Sequence, residues 1–280
     1  PAQNRDRLLK WNILDNSDFY FKIDQEKQYK SHDFNNTEKG ILYTILGGEG
    51  YTELVLNSMK SLKAWHPNIP IEYFGPHLPI ENIKNINPHY IDSNSNEDII
   101  KQNWQDRIKI FKQTPFEKTI YLDADTYIDG DLSEIYDLLD KFDMAGVHAP
   151  LPIVFDVPGV PNCFPEINCG VIAYRNNQRV WDFFDMWSKE YEIHKMENRD
   201  PRPNRTSDQP SFRKALYESQ VRFATLPPEY NFRCTYGLSA FFRVKIFHSK
   251  EIAQNLKLAK SISNNINKVV NKRRVWGINN

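Results

Sequence analysis

Lys118-Thr119-Ile120-Tyr121-Leu122-Asp123-Ala124-Asp125-Thr126-Tyr127-Ile128 is an apolar stretch that two acidic residues interrupt. Residues 119–122 are too few for a buried helix and are β-branched, aromatic or aliphatic, so they predict a core strand. Asp123 and Asp125 follow where this strand would leave the sheet. Ligands of open α/β sheets bind at the carboxyl ends of strands, and side chains two residues apart in extended chain point the same way. The stretch therefore predicts two carboxylates that face one site.

Two carboxylates at this position are typical of a site for a hard divalent cation. Such oxygen ligands suit Mg²⁺ or Mn²⁺, and these ions in turn suit a diphosphate. The alternative is a polar turn after a strand, because aspartate is common in turns. Without further signals, an Asp-x-Asp motif favours the turn. The choice therefore depends on the rest of the chain.

The composition narrows the function classes. The chain has 280 residues and 40% hydrophobic residues, enough for a large α/β domain with a sizeable core. Lys+Arg and Asp+Glu both number 36, so no global charge attracts nucleic acid. The three cysteines lack metal-type spacing, which argues against a zinc site. We find no signal-peptide pattern and no apolar run near 18 residues, which favours a cytoplasmic protein.

Three segments differ in character. Residues 1–39 are polar and predict an extension packed on the core, residues 40–250 predict the main domain, and residues 251–280 predict a basic amphipathic helix. Such a helix can lie on an anionic membrane, here through residues 255–275, or dock on its own domain. The second alternative is favoured slightly.

The main domain begins with a β–loop–α–β unit, which is typical of a parallel sheet. Residues 41–46 predict a strand, residues 51–65 a helix that His66-Pro67 ends, and residues 69–74 a second strand. Between the first strand and the helix lies Gly47-Gly48-Glu49-Gly50, where backbone can approach a nucleotide closely. A plain surface turn explains these glycines equally well.

The remaining elements continue the α/β pattern. Helices are predicted at 97–112, from the turn 129–133 to 139, and at 176–191 and 207–218. Strands are predicted at 144–148, 167–174, 221–226 and 241–247, and loops at 76–96 and 150–165. The aromatic stripe of 176–191 predicts core packing. Arg107 and Lys109 lie on the helix before the acidic strand, and Ser207 is a good N-cap for the fourth helix.

Taken in order, four segments resemble the retaining GT-A glycosyltransferases of family 8, the group of glycogenin and the bacterial lipopolysaccharide galactosyltransferases. The resemblance covers about 41–250. It rests on the segments Thr52 to Pro67, Arg107-Ile108-Lys109-Ile110 before Tyr121-Leu122-Asp123-Ala124-Asp125, Asn168-Cys169-Gly170-Val171, and Asp208-Gln209 before a helix. It implies a GT-A fold, with a single mostly parallel central sheet flanked by helices.

The resemblance also implies roles for single residues. Asp123, Asp125 and His248 would bind Mn²⁺ or Mg²⁺, although a lone histidine after a strand is ordinarily only a hydrogen-bonded side chain. Asn168, Asp208 and Gln209 would hold the transferred sugar, with the choice between Asp208 and Gln209 for the reacting face left open. The donor would lie against Thr44, Leu46, Gly47, Tyr51, Arg107, Asp123, Ala124 and Lys250.

The implied activity is metal-dependent retaining transfer of a sugar from a UDP-sugar to a hydroxyl group. Glucose, galactose and xylose are all compatible as the donated sugar, and a glycan, a lipid or a protein as the carbohydrate-type acceptor. Three departures from the family pattern point to a divergent subgroup. Gly47-Gly48 stand where family members often have acids, and Pro210 stands where the D-Q-D variant has its last acid. The family's G-x-x-K-P-W does not follow His248, where Lys250 is the nearest cation.

Other functions have less support from the sequence. A sugar-1-phosphate nucleotidyltransferase would need an arginine and a lysine directly after the first strand, and residues 47–51 contain neither. A non-catalytic carbohydrate-binding protein would have no reason to retain both aspartates and His248. Nucleic-acid binding is not expected, because no basic stripe lies outside the C-terminal segment.

Overall fold

The core of the molecule is built on one central sheet. The computed structural model describes residues 12–13, 38–46, 49–91, 107–150, 157–197, 207–236 and 238–276. The strands are β1 (Asn12–Ile13), β2 (Lys39–Thr44), β3 (Ile71–Gly75), β4 (Ile86–Tyr90), β5 (Lys118–Leu122), β6 (Thr126–Ile128), β7 (Met144–His148), β8 (Ile167–Arg175), β9 (Phe223–Leu226), β10 (Phe232–Arg233), β11 (Leu238–Ala240), β12 (Ile246–His248) and β13 (Arg274–Trp276). The α-helices are α1 (Thr52–Trp65), α2 (Ser133–Leu138), α3 (Gln178–Met196), α4 (Gln209–Glu218), α5 (Lys250–Ala253) and α6 (Leu256–Asn267).

The central sheet has seven strands in the order β4-β3-β2-β5-β8-β7-β9. Four of its neighbouring pairs are parallel, and β8 runs antiparallel to both β5 and β7. The predicted α/β fold with a mostly parallel sheet is confirmed. Because β8 runs the opposite way, its first residues lie at the same end as the last residues of β2, β5 and β7.

Helices cover both faces of this sheet, and the alternation of side chains along each strand separates two cores. Ile120 and Leu122 of β5 pack on the side of α1 and α2, whereas Tyr121 packs on the side of α3 and α4. The aromatic stripe of α3, including Phe184 and Trp187, is buried in the second core, as its helical spacing predicts.

Two small sheets complete the fold. In the first, with order β10-β12-β6, His248 lies opposite Thr126 and Arg233 lies beside His248. In the second, β13 pairs with β11 and β1. In the first of these sheets, the pairing of β12 with β6 places His248 beside the residues that follow β5.

The C-terminal segment differs from the predicted continuous helix over 251–276, which is wrong. The Asn255 side chain accepts hydrogen bonds from the backbone N–H groups of Lys257 and Leu258 and starts a new helix, so α5 and α6 are separate. The chain then ends in β13. The apolar face of α6, with Ile262 and Ile266, is buried against the domain, as the favoured alternative predicts.

Three further predictions need correction. The predicted loop 76–96 contains β4, a polar edge strand in which Pro88 is tolerated. The predicted strand 241–247 is shortened to β12, because the Phe241 and Phe242 N–H groups donate to Glu229 instead of to a neighbouring strand. Ser207 is not the N-cap of α4. Asp208 takes that position without a side-chain capping bond.

Some predictions fall partly outside the described residues. Residues 107–111 are helical, and residues 97–106 of the predicted helix lie outside them, as do residues 151–156 of the predicted loop and most of the predicted extension at 1–39. Among the helices that the structure describes, none combines the length and apolar character needed to cross a membrane.

Candidate metal and donor site

Three side chains with metal-ligating atoms meet after β5. Asp123, Asp125 and His248 each offer one ligand atom, and these atoms lie within 4.8 Å of one another. His248 Nε2 is 3.1 Å from Asp125 Oδ1 and 3.6 Å from Asp123 Oδ2. The carboxylates converge because the chain turns at residues 124–125, not because it stays extended as predicted. Pairing of β12 with β6 then brings His248 to the turn.

Gly170 of β8 provides the space that these ligands occupy. The backbone N–H of Asp123 donates to the Gly170 carbonyl at 2.8 Å. A Cβ atom on Gly170 would lie 2.1 Å from His248 Cε1 and 2.7 Å from Asp123 Oδ2, closer than real Cβ contacts come. Glycine is therefore required at the third position of Asn168-Cys169-Gly170-Val171.

Both ring nitrogens of His248 have polar partners. Its Nδ1 atom lies 2.8 Å from Asn231 Oδ1, and its Nε2 atom lies 2.7 Å from Arg233 Nη1. A guanidinium group can only donate, which favours a lone pair on Nε2, whereas the Asp125 carboxylate 3.1 Å from the same nitrogen favours a proton there. The positively charged Arg233 guanidinium therefore lies at Nε2, the ring nitrogen that also faces the two aspartates.

The charge of Asp125 suits a metal ligand. Burial alone would raise the pKa of its carboxyl group, but a protonated His248 ring and the Arg233 guanidinium beside it lower the pKa to about 2. Asp125 is therefore ionised at neutral pH. Two carboxylates and one imidazole nitrogen form a mixed O/N donor set that could hold a divalent metal ion.

Arg107 joins the candidate metal ligands to Asp208. The guanidinium is buried, and its Nη1 donates to Asp123 Oδ1 and to the Tyr121 hydroxyl, both at 3.1 Å, while Nη2 donates to Asp208 Oδ2. Burial raises the pKa of the Asp208 carboxyl although Arg107 opposes the shift. Burial also raises the pKa of Tyr121, which donates to Asp123 Oδ1 at 2.6 Å. Arg107 thus holds two carboxyl groups of the site in fixed positions.

The three residues predicted to hold the sugar lie together. Asn168 Nδ2 donates to Gln209 Oε1 at 3.0 Å, and Gln209 Nε2 donates to Glu166 Oε1 at 2.6 Å. Asp208 precedes Gln209 at the start of α4, where the Trp187 indole N–H donates to the Asp208 carbonyl. Asp208 and Asn168 are buried, whereas Gln209 is half-buried.

The predicted donor-binding residues form two contacts near the same end of the sheet. Thr44, at the end of β2, has its hydroxyl 3.5 Å from that of Tyr121. Lys250 Nζ lies 5.3 Å from the centre of the Tyr51 ring, and both side chains are exposed. Leu46 is half-buried and Ala124 is buried. Gly47 lies outside the described residues.

Comparison with known proteins identifies the architecture. No protein-family model and no curated protein matches the chain. Among solved structures, the galactosyltransferase LgtC in complex with donor and acceptor sugar analogues is similar with a TM-score of 0.53 and 16% identity, over 70% of this chain and 76% of that one. An active-site mutant of LgtC gives a TM-score of 0.56 and 15% identity, over 79% and 95% of the two chains.

A third similar structure is mouse xyloside xylosyltransferase 1 in its apo form, with a TM-score of 0.51 and 13% identity over 76% of this chain and 98% of that one. This chain has the GT-A glycosyltransferase fold. The predicted resemblance is thus confirmed at the level of the fold. In this GT-A domain, the three candidate metal ligands lie beyond the carboxyl end of a central strand.

Sequence reasoning missed several residues of the site. Glu166, Asn231 and Arg233 make direct contacts with the predicted site residues, and Tyr121 was assigned only to the strand. The positions of Asn231 and Arg233 depend on the pairing of β10 with β12, so no local pattern marks them. The Asn168-Cys169-Gly170-Val171 motif is a local signal for the contact between β8 and the candidate metal ligands, because Gly170 lies directly against His248.

Proposed function

We propose that the protein is a metal-dependent retaining glycosyltransferase that moves glucose, galactose or xylose from a UDP-sugar to a hydroxyl of a glycan, lipid or protein. The observation that carries this proposal is the Asp123, Asp125 and His248 cluster within a GT-A fold. A GT-A fold alone gives no chemistry, since one fold hosts many functions. Its combination with convergent metal ligands supports transfer from a diphosphate donor.

The ion would be Mn²⁺ or Mg²⁺, held by Asp123, Asp125 and His248, and it would supply Lewis-acid stabilisation of the charge that develops on the leaving diphosphate. Arg107 would orient Asp123 toward that ion through its 3.1 Å hydrogen bond. Thr44, Leu46, Gly47 and Tyr51 would contact the nucleoside, and Lys250 the phosphates. Lys250 is exposed beside Tyr51, so it is accessible to such a ligand.

Asn168, Asp208 and Gln209 would position the sugar. Of the two residues proposed for the reacting face, Gln209 has the better access, because Asp208 is buried and paired with Arg107. The Gln209 amide has a fixed orientation between Asn168 and Glu166, with its oxygen toward Asn168. That oxygen can face the positive charge that develops at the anomeric carbon.

An open cavity next to Asn168 would receive the acceptor. Its volume is about 460 Å³, and Val147, which pairs with Asn168 in the sheet, is part of its wall. The rest of the lining is largely apolar, with Thr225 and His148 as polar groups. A pocket of this kind suits the less polar face of a sugar or an aglycone.

The direct test is slow donor hydrolysis with a panel of UDP-sugars, with Mn²⁺ and with EDTA. We expect release of UDP from one sugar type, dependent on Mn²⁺, and no requirement for an acceptor. Pyrophosphate-dependent formation of UTP and sugar 1-phosphate would instead indicate a nucleotidyltransferase. Hydrolysis or donor binding that is unchanged by EDTA would contradict the proposed function.

A further inference from the structure

Four hydrogen bonds connect the candidate metal ligand His248 to a buried carboxylate. In order, they join His248 Nδ1 to Asn231 Oδ1 (2.8 Å), Asn231 Nδ2 to Asn168 Oδ1 (2.8 Å), Asn168 Nδ2 to Gln209 Oε1 (3.0 Å), and Gln209 Nε2 to Glu166 Oε1 (2.6 Å). Asn231 and Glu166 are almost completely inaccessible to solvent. We call this series the amide chain.

The backbone N–H of Gly170 determines which way the Asn168 and Asn231 amide groups of the amide chain are oriented. The backbone N–H of Gly170 donates to Asn168 Oδ1 at 3.1 Å. A backbone N–H can only donate, so the atom of Asn168 that it meets is the oxygen. Asn231 must then present its amino group to this oxygen, and its own oxygen faces His248.

This orientation determines which nitrogen of His248 carries the proton. The Asn231 oxygen can only accept, so His248 Nδ1 must donate, which leaves Nε2 without a proton in the neutral ring. The contact with Arg233 at Nε2 gives the same assignment independently, because the guanidinium can only donate. Arg233 agrees with this tautomer, whereas the Asp125 carboxylate 3.1 Å from Nε2 favours a proton there, so the assignment rests on Asn231.

The backbone holds Asn231 in place for this task. Its N–H donates to the Pro228 carbonyl at 3.1 Å, and it ends the short 3₁₀-helix Pro228–Tyr230. Its side chain contacts two groups of the candidate site and has no exposed surface with which to bind a ligand itself. Its contribution must come through His248 and Asn168.

We propose that Asn231 is a positioning residue that keeps His248 in the Nδ1–H tautomer, so that Nε2 is ready to bind the ion, and links the ion site to Gln209. The inference rests on the proposed function for the nature of the ion. Hydrogen-bond partners of this kind typically contribute about 10- to 100-fold to metal affinity. Without Asn231, the proton is free to occupy Nε2, where it competes with the ion.

The test compares Asn231→Leu, which keeps the size and removes both hydrogen bonds, with Asn231→Asp, which keeps an oxygen toward Nδ1. The first measurement is the ¹⁵N chemical shifts of the His248 ring in metal-free protein. We expect Nδ1–H in wild type and in Asn231→Asp, and a mixture or Nε2–H in Asn231→Leu. The second is Mn²⁺ affinity by calorimetry, which we expect Asn231→Leu to weaken about 10- to 100-fold.

Asn177→Ala is the matched control. Asn177 also makes two side-chain hydrogen bonds, to Asp143 and to the Val180 N–H, but it lies beyond the other end of β8. We expect this variant to lose stability and to keep both the tautomer and the Mn²⁺ affinity. Equal loss of affinity in Asn177→Ala and Asn231→Leu would overturn the inference, because a general loss of stability would then explain it.

Two further results are decisive, and the first does not depend on whether any variant folds. Nε2–H in metal-free wild type overturns the inference, as does a folded Asn231→Leu with unchanged tautomer and Mn²⁺ affinity. Failure of the proposed function has a different signature, namely wild type that shows Nδ1–H but does not bind Mn²⁺.

Discussion

The two ends of the central sheet use aspartate and arginine in different ways. At one end, Asp143 is completely buried and accepts six hydrogen bonds from Asn177, Arg179 and Arg222. At the other end, Asp123 and Asp125 retain about a quarter and a fifth of their side-chain exposure, and the acceptor atoms of Asp125 and His248 face each other. The first arrangement is complete without a ligand, and the second brings together three side chains with metal-ligating atoms. This contrast separates a stabilising ion pair from a binding site.

We call the Asp123, Asp125 and His248 end of the sheet the open end, and the Asp143 end the closed end. The largest expected effect comes from removing one carboxylate at the open end. Asp125→Asn keeps the size of the side chain but loses its charge, so we expect Mn²⁺ affinity to fall more than about 100-fold, beyond the loss for partners that only orient a ligand. UDP-sugar turnover should disappear, with a melting temperature near that of wild type. Calorimetry and thermal denaturation measure the two quantities. Retention of most activity would mean that the ion is assigned wrongly.

Gly170→Ala should disturb the open end without changing any ligand. The new methyl group would overlap His248 Cε1 at 2.1 Å, so the ring must move, and we expect Mn²⁺ affinity to fall about 10-fold or more. Gly50→Ala is the control, because its Cβ would meet no atom within 4 Å. Mn²⁺ titration of both variants checks this. Equal affinities would show that His248 is not held against β8.

Asp143→Asn should lower the stability of the protein and leave its Mn²⁺ affinity unchanged, the reverse of Asp125→Asn. Several charge-assisted hydrogen bonds are lost, but Arg179 and Arg222 are about half exposed and can be solvated, so we expect a loss of about 3 kcal/mol in the free energy of unfolding. Mn²⁺ affinity of the folded protein should be unchanged. Urea denaturation and calorimetry measure the two effects. A loss of Mn²⁺ affinity equal to that of Asp125→Asn would remove the distinction between the two ends.

Acid should affect the closed end in a defined direction. The arginine and asparagine hydrogen bonds outweigh burial and hold the pKa of Asp143 well below its usual value. A carboxyl group with a depressed folded-state pKa stabilises the protein above its unfolded pKa, and this stability is lost as the pH falls. We therefore expect the wild-type free energy of unfolding to drop below about pH 4 more steeply than that of Asp143→Asn. Parallel urea titrations at several pH values check this, and identical slopes would contradict it.

The smallest effect concerns Arg233, which competes with an ion for His248 Nε2. A unit charge and a divalent ion about 4 Å apart repel by about 2 kcal/mol in water, and screening at physiological salt reduces this to about 1 kcal/mol. Arg233→Met should therefore tighten Mn²⁺ binding in the absence of donor by about five-fold. Arg243→Met, which removes a cation paired with Asp129 instead, is the control and should not change it. Weaker binding in Arg233→Met would show that the guanidinium supports the ion rather than competing with it.

How much could be predicted depends on how local the cause is. The strand before Asp123 and the helix 51–65 were predicted because their patterns lie within one segment. The strand β4 was missed because its residues are polar, and its place comes from pairing with β3 at the sheet edge. The break between α5 and α6 was missed although Asn255, an N-cap, was a readable signal.

The residues of the candidate site also differ in whether a local pattern or a distant pairing determines their position. Asp123 and Asp125 follow a strand and were found from their pattern, and His248 was found only through the family resemblance. Asn231 and Arg233 lie 17 and 15 residues before His248, and they contact it only because β10 pairs with β12. No periodicity or motif in the sequence encodes that contact.

The most direct test of the central claim is pulsed EPR of Mn²⁺ bound to protein that carries ¹⁵N-labelled histidine. If Asp123, Asp125 and His248 hold one ion, the spectrum should show coupling to one ¹⁵N nucleus, and this coupling should be absent in His248→Gln. Tightly bound Mn²⁺ without nitrogen coupling in the labelled wild type would contradict the site. A coupling that persists unchanged in His248→Gln would place the ion at another histidine.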